Sequence, residues 1–308
     1  MRPWRRNARW NPRPRKDVLK EKRLPETLIR PGAGGVLASL VECWRYRELM
    51  FFLAWRDVKV RYKQTLFGMG WAILQPLVSM VVFTLVFQRV AGIQTGSVPY
   101  PIWNFAALLP WLLFQGSLEK ASGSIVLERG LVTKFYCPRL LIPLSKVVSC
   151  LVDFGVSFVI FLGMLAAYVA LGKMSLGWEQ LLWGLALLPL CVLFAVLSAL
   201  SVGVWLAALT AKYRDFRYIV PFMVRIWMFL SPVAYPASQL VEKLPKGFGW
   251  LYSLNPMISV IEGFRWAFLG QTDVAAGQVL PSVVAVFLLL AGGLHYFRHM
   301  ERVFADIL

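Results

Sequence analysis

The stretch WRDVKVRYKQTLFGMGWAILQP, Trp55–Pro76, decides how the rest of the chain is read. Four cationic side chains fall within residues 56–63, and from Gln64 to Gln88 there is no charge at all. A basic collar pressed against so long an apolar run is the pattern of a segment that lies at a membrane surface and then enters the membrane. In Phe51–Lys63, residues 51, 55, 58 and 62 are Phe, Trp, Val and Tyr, while 56, 59 and 63 are Arg, Lys and Lys. That spacing makes two stripes on a helix lying flat in the headgroup region. DVKVRYK also alternates with period two, but a lone strand beside a bilayer has no partner for its backbone groups. Asp57 also stands four residues before Arg61, as a helical pair would. Gly68 relaxes the backbone where such a helix turns upright, and Pro76 bends the span that follows.

Outward from this stretch the same signal repeats. Residues free of Asp, Glu, Lys and Arg run from Val90 to Leu118, Phe154 to Gly172, Gln180 to Ala211, Ile226 to Val241 and Val274 to Phe297. About 20 apolar residues cross a bilayer as a helix, so an all-α integral membrane protein with six spans is expected, near 67–88, 101–119, 143–171, 179–209, 217–236 and 279–297. A composition of 58% hydrophobic residues and a mean hydropathy of +0.61 exceed what globular folds carry.

Cations set the orientation. Of the 33 Lys and Arg, 17 precede residue 65, and ten more (Lys120, Arg129, Lys134, Arg139, Lys146, Lys212, Arg214, Arg217, Arg298, Arg302) fall on the same side. Five fall on the other side and Arg225 lies within the fifth span, so both termini are expected in the cytoplasm of a multi-pass inner-membrane protein. Residues 1–39 read as a basic, disordered tail and linker near anionic headgroups, not as a nucleic-acid arm. The basic start is not followed by an apolar h-region, so no secretory signal is expected.

The chemistry of catalysis is absent from the pattern. There is no GxxxxGK[ST] loop for nucleotide phosphates. Two histidines, His295 and His299, stand without HExxH or a third ligand, so no metal and no catalytic residues are expected. Cys43, Cys137, Cys150 and Cys191 show no ligand or disulfide spacing. The chain is therefore read as a transport subunit with no cofactor of its own.

Four motifs carry a family resemblance. RDVKVRYKQTLFGMGWAILQPLVSMVVFTLVF, LLPWLLFQGSLEKASGSIVLERGLVTKFYCPRLLIPLS, AKYRDFRYIVPFMVRIWMFLSPVAYP and LNPMISVIEGFRWAFLG, in this order over about residues 50–275, resemble ABC-2 type permeases that export lipid-linked polysaccharides such as O-antigen, capsule or teichoic acid. The resemblance implies two copies of this chain bound to two copies of a separate cytosolic ATPase that carries ATP and Mg. It also implies an interface helix at about 40–65, a transmembrane domain at 66–297 and a cytoplasmic end at 298–308. By that likeness Arg56, Lys59, Arg61, Lys63, Thr65 and Gly68 meet the diphosphate of an undecaprenyl carrier. The same cations would also grip anionic lipid, and both readings stand. The family's corner usually reads Leu-Gly, whereas here it reads Phe67-Gly68.

The resemblance places a coupling helix at about 122–138. Ser124 is expected to cap a short helix interrupted by Gly130, with Ile125, Val126, Leu127, Glu128 and Arg129 meeting the ATPase. A gate region follows at about 237–270. There Asn255 caps a helix, Pro256 opens it, Gly270 ends it, and Phe264 lies on its apolar face, with Glu262 and Arg265 paired at i, i+3. A re-entrant or outer gate helix and a helix laid on the outer leaflet both fit this pattern. Trp71, Gln75, Phe222, Arg225, Trp227, Phe229 and Tyr235 are expected to line the pathway, with most aromatics serving as packing. Asp153 and Arg225 are the charges expected within spans, facing a cavity or each other. Competing assignments are a drug or lipid exporter of the same family, or a membrane-embedded glycan-processing enzyme. The enzyme would need a carboxylate, Arg or His cluster at the membrane face.

Overall fold

Helix after helix forms because long apolar runs in this chain can satisfy their backbone only internally. The computed structural model describes residues 36–63, 70–134, 137–239, 252–272, 276–301 and 304. In order these form α1 (Val36–Arg45), α2 (Arg47–Lys63), α3 (Gly70–Phe83, continued by a π-helical turn Thr84–Val90), α4 (Tyr100–Leu127) and α5 (Arg129–Lys134). Then come α6 (Leu141–Ala170), α7 (Trp178–Lys212), α8 (Phe216–Phe229), α9 (Pro256–Leu269) and α10 (Val279–Glu301). Among the described residues there is no strand.

Among the described residues four helices are long and apolar enough to cross a membrane: Gly70–Val90, Leu141–Ala170, Trp178–Lys212 and Val279–Glu301. The expected second span lies inside α4, whose 28 residues rise about 42 Å. Its sequence is diluted by Asn104, Gln115, Glu119 and Lys120. The expected fifth span, 217–236, is not one helix. It ends at Phe229 after 14 residues, a rise of about 21 Å that falls short of a bilayer core of about 30 Å. Leu230 and Ser231 tighten the last turn through amide bonds to Trp227 and Met228, and Pro232 cannot continue it.

The core is built around α4. Nearly every residue from Ile102 to Leu118 is buried, and the helix packs most extensively on α6 and α7, with α9 covering its first half. On α3, by contrast, only Pro76 is buried within Gly70–Phe83. Near its far end α7 meets α10 through Trp205, which stacks on Tyr296 at 5.1 Å and donates to the Leu289 carbonyl. A β-carbon on Gly293 would stand 2.6 Å from the Trp205 ring, so that crossing requires glycine.

The interface segment departs from the expected two-striped helix. It is two consecutive helices, α1 and α2, and the side of α2 against α6 holds Leu53, Ala54 and Val58. Phe51 and Trp55 point outward, both more than half exposed. The reason is electrostatic: Arg56 turns to Glu128 just past the end of α4, and Asp57 and Arg61 turn to Lys146 and Asp153 on α6, as described below.

Candidate functional site

A cavity of about 370 Å³ opens beside the end of α2. Arg61 and Tyr62 of α2, Trp71, Gln75 and Pro76 of α3, Gln115, Glu119 and Lys120 of α4, and Cys150, Asp153 and Phe154 of α6 line it. Pro76 is thus not only a kink: it brings α3 against the cavity at the one place where α3 is buried.

Asp153 organises the polar corner. Arg61 Nη1 and Tyr62 Oη donate to its two carboxylate oxygens, and Lys120 Nζ stands 3.3 Å from the oxygen that Arg61 holds. Burial, and then the bond to Asp153, push the Tyr62 phenol up to about 12, so it stays protonated and acts as a donor. Burial opposes the Arg61 charge, but Asp153 outweighs it and raises the guanidinium above its ordinary value. Glu119 of the same cavity instead accepts from Gln115 Nε2 at 3.1 Å, and Gln115 accepts from Trp111 Nε1 at 3.1 Å.

One helical turn toward the start of α2 lies a second cluster. Lys146 Nζ reaches Asp57 Oδ2 at 2.6 Å and Glu128 Oε1 at 2.8 Å, while Arg56 bonds the same Glu128 oxygen and stands 3.1 Å from Asp57. Two cations meet two carboxylates. Burial alone would raise the Glu128 carboxyl, but Lys146 and Arg56 together hold it below the ordinary carboxylate range. The two clusters bolt α2 to α4 and α6.

Of the cations expected at the carrier diphosphate, Arg61 lines the cavity, Arg56 belongs to the second cluster, and Lys59 and Lys63 are exposed. Thr65 and Gly68 lie outside the described residues. Of the expected pathway residues, Trp71 and Gln75 line the cavity. Phe222, Arg225 and Phe229 face outward on α8, and Arg225 makes no ion pair among the described residues, so the bridge to Asp153 does not form.

The expected coupling segment is corrected in detail. Ser124 is not a cap: α4 runs through it to Leu127, and its hydroxyl bonds back to the Ala121 carbonyl at 2.7 Å, as a serine inside a helix can. The break falls at Glu128, and Gly130 lies within α5. Ile125 is fully buried, which withdraws it and Ser124 from any docking surface. Val126 is half-buried, and Leu127 and Arg129 are exposed.

At the other end of α4 the expected α9 forms with the anticipated bounds. Asn255 accepts from the Met257 amide at 3.1 Å, Pro256 begins the helix, and Gly270 closes it at φ +68°. The helix is enclosed on nearly every side, including Phe264, so it does not lie on a surface by one apolar face. Phe264 and Phe268 sit 5.5–6.3 Å from the rings of Phe158 and Phe161. Arg265 pairs with Glu262 at 2.6 Å, stacks 3.3 Å above the Trp103 ring centroid and donates to the Val233 carbonyl at 3.2 Å. Asn104 donates to that carbonyl too, at 2.9 Å, and Tyr100 donates to Ala234 at 2.7 Å. Trp227 donates to Asn255 at 2.9 Å, and Tyr235 bonds the Phe229 carbonyl. Gln180 of α7 gives its amide to the Trp266 and Ala267 carbonyls, each at 2.8 Å. Among the described residues no group of three or more His, Cys, Asp or Glu could hold a metal.

A helical bundle with a cation-bearing helix packed on its side and a short buried helix before its last long apolar helix has a sequence counterpart. Residues 48–269 match the model of the ABC-2 type transporter family. The chain belongs to that family. Among its relatives is an O-antigen export system permease protein of Myxococcus xanthus, 30% identical over 263 residues, which are 84% of this chain and 96% of that protein. A protein of the same name from Klebsiella pneumoniae is 26% identical over 85% of this chain and 95% of its own length. The polysialic acid transport protein KpsM of Escherichia coli is 22% identical over 80% of this chain and 91% of its own length. This ABC-2 protein thus has relatives in transport along almost its whole membrane domain, and its apolar helices make it a multi-pass membrane protein.

Proposed function

We propose that this chain is the permease subunit of an ATP-driven exporter that moves an undecaprenyl-diphosphate-linked polysaccharide of the O-antigen kind across the inner membrane. The observation that carries the reading is the match of 84% of the chain to an O-antigen export permease. Two copies would bind two copies of a separate cytosolic ATPase, which supplies ATP hydrolysis and Mg.

In this reading the basic end faces the cytoplasm, in keeping with the positive-inside rule. α4, and α8 with the turns after it, complete six crossings. The outward faces of α3 and α8, bearing Phe222, Arg225 and Phe229, meet the second copy and line the pathway. Leu127 and Arg129, exposed where α4 gives way to α5, offer the ATPase an apolar and a cationic contact. α9, with the residues before it, is the gate at the far side. The cavity beside α2, cationic at one corner and apolar at its walls, suits a carrier's diphosphate and the start of its hydrocarbon.

The test is ATP turnover by the purified chain with its ATPase, given lipid-linked glycan in one arm and hydrophobic drugs in the other. Stimulation by the glycan is expected. Stimulation by drugs alone assigns the chain to drug export.

A further inference from the structure

We propose that Asp153 is a resident counter-anion: it holds Arg61 and Lys120 between rounds of transport and yields them to the phosphorylated headgroup of an amphiphile. This rests on the reading of a diphosphate-borne substrate and names the residue that tunes the hold on it.

Asp153 lies about three turns into α6, a rise of about 18 Å along its axis. There a carboxylate in an apolar span is expensive unless it is paired or faces water. Its donors come entirely from other helices: Arg61 and Tyr62 from α2, and Lys120 from α4. Two cations share one carboxylate, and on the same oxygen, so neither has a carboxylate to itself. Glu119 lines the same cavity and brings it to two carboxylates for two cations, but it accepts from Gln115, and both cations are paired to Asp153. A phosphate or diphosphate offers more acceptor oxygens and more negative charge than a carboxylate to the same donors.

Access separates this cluster from its neighbour. The side chains of Arg61, Lys120 and Asp153 are 30%, 33% and 30% exposed toward an open cavity. Lys146, Asp57 and Glu128 are 10%, 17% and 16% exposed, and although Arg56 beside them is 38% exposed, none of the four lines the cavity. The cavity wall beyond Asp153 is Leu109, Leu112, Leu113, Phe154 and Pro76, which fits an alkyl chain and gives few partners to a sugar. A carboxylate poised on the same cations as the ligand weakens binding and speeds release, which an exporter requires of a carrier it must let go.

The experiment uses the permease–ATPase complex in phosphatidylcholine nanodiscs, with binding of farnesyl diphosphate, farnesol and inorganic pyrophosphate measured at equilibrium. Asp153→Asn is expected to bind farnesyl diphosphate about tenfold tighter than the wild type, as for one competing charged contact removed, with farnesol unchanged. Asp153→Glu, which keeps the charge, is expected to match the wild type. Lys120→Gln leaves Arg61 and Tyr62 on Asp153 and so protects the docking of α2; it is expected to weaken farnesyl diphosphate binding about tenfold. Equal or weaker binding by a monodisperse Asp153→Asn complex, or an unchanged constant for Lys120→Gln, overturns the proposal. A second set of nanodiscs containing phosphatidylglycerol separates the sources. Competition that Asp153→Asn strengthens supports the counter-anion role and assigns the headgroup to the bilayer, and no competition assigns it to the isoprenyl carrier. Wild-type ATP turnover indifferent to lipid-linked glycan would overturn the export reading on its own, whatever these constants show.

Discussion

At the basic end Arg61 and Lys120 share Asp153 beside an open cavity; at the other end Arg265 and Glu262 are shut away beneath Trp103 with 1% and 4% of their side chains exposed. The first cluster is about one-third exposed to the cavity, and its two cations converge on one carboxylate oxygen. The second is dry, and its cation is held on three sides by a carboxylate, a ring face and a backbone carbonyl. Exchange there would strand a charge in a low dielectric. The same residue types thus stand open to a cavity in one place and closed off in the other, and the difference is access.

The largest effect expected of breaking this contrast is at the dry end. Arg265→Ala leaves Glu262 buried without this cation and is expected to destabilise the protein by about 3–5 kcal/mol. Thermal unfolding of the solubilised complex measures it. Replacing both partners, Glu262→Leu with Arg265→Met, is expected to recover most of the loss, because an apolar pair carries no desolvation penalty. A double variant as unstable as the single one would move the stability to the Val233 carbonyl and the Trp103 face.

Between the extremes stands Lys146, which bridges Asp57 and Glu128 largely out of solvent. Lys146→Met is expected to weaken the docking of α2 by about 1–3 kcal/mol, seen as faster hydrogen exchange of the α2 amides with α9 unchanged. Arg56 is 38% exposed, so solvent screens its pairs, and Arg56→Gln is expected to change stability by less than about 1 kcal/mol.

The smallest effect is that of pH. Glu128 is held below its ordinary range, so its contribution to docking is complete above an unfolded value of about 4.3 and fades as pH falls through the lowered folded value. Exchange in α2 should therefore quicken only in acid. Quickening already near neutrality would show that Glu128 does not govern the contact.

How much of this was legible in the sequence depended on whether a residue's partner was local. α9 could be read from Asn255, Pro256 and Gly270, because caps act within one turn, and its Glu262–Arg265 pair follows from i, i+3 spacing. α2 could be recognised as a helix but not oriented. Ala54, Asp57, Val58 and Arg61 share one face, yet Phe51 and Trp55 made the neighbouring stripe look like the buried one. Which face is covered depends on α6, which is remote in sequence. Ser124 looked like a cap because the hydroxyl that caps a helix also bonds back inside one. The depth of α4 was hidden for a related reason: its Asn, Gln and Ser groups lower its hydropathy, while packing against α6 and α7 leaves almost none of its first half toward lipid.

Gln180 ties these observations to motion. A helix whose final carbonyls are gripped by a neighbour's amide cannot slide or unwind independently, so α9 is splinted to the first turn of α7. That helix runs 35 residues to Lys212, on a rise of about 52 Å. A tilt that moves the first turn of α7 therefore moves α9 with it, with no loop between them to absorb it.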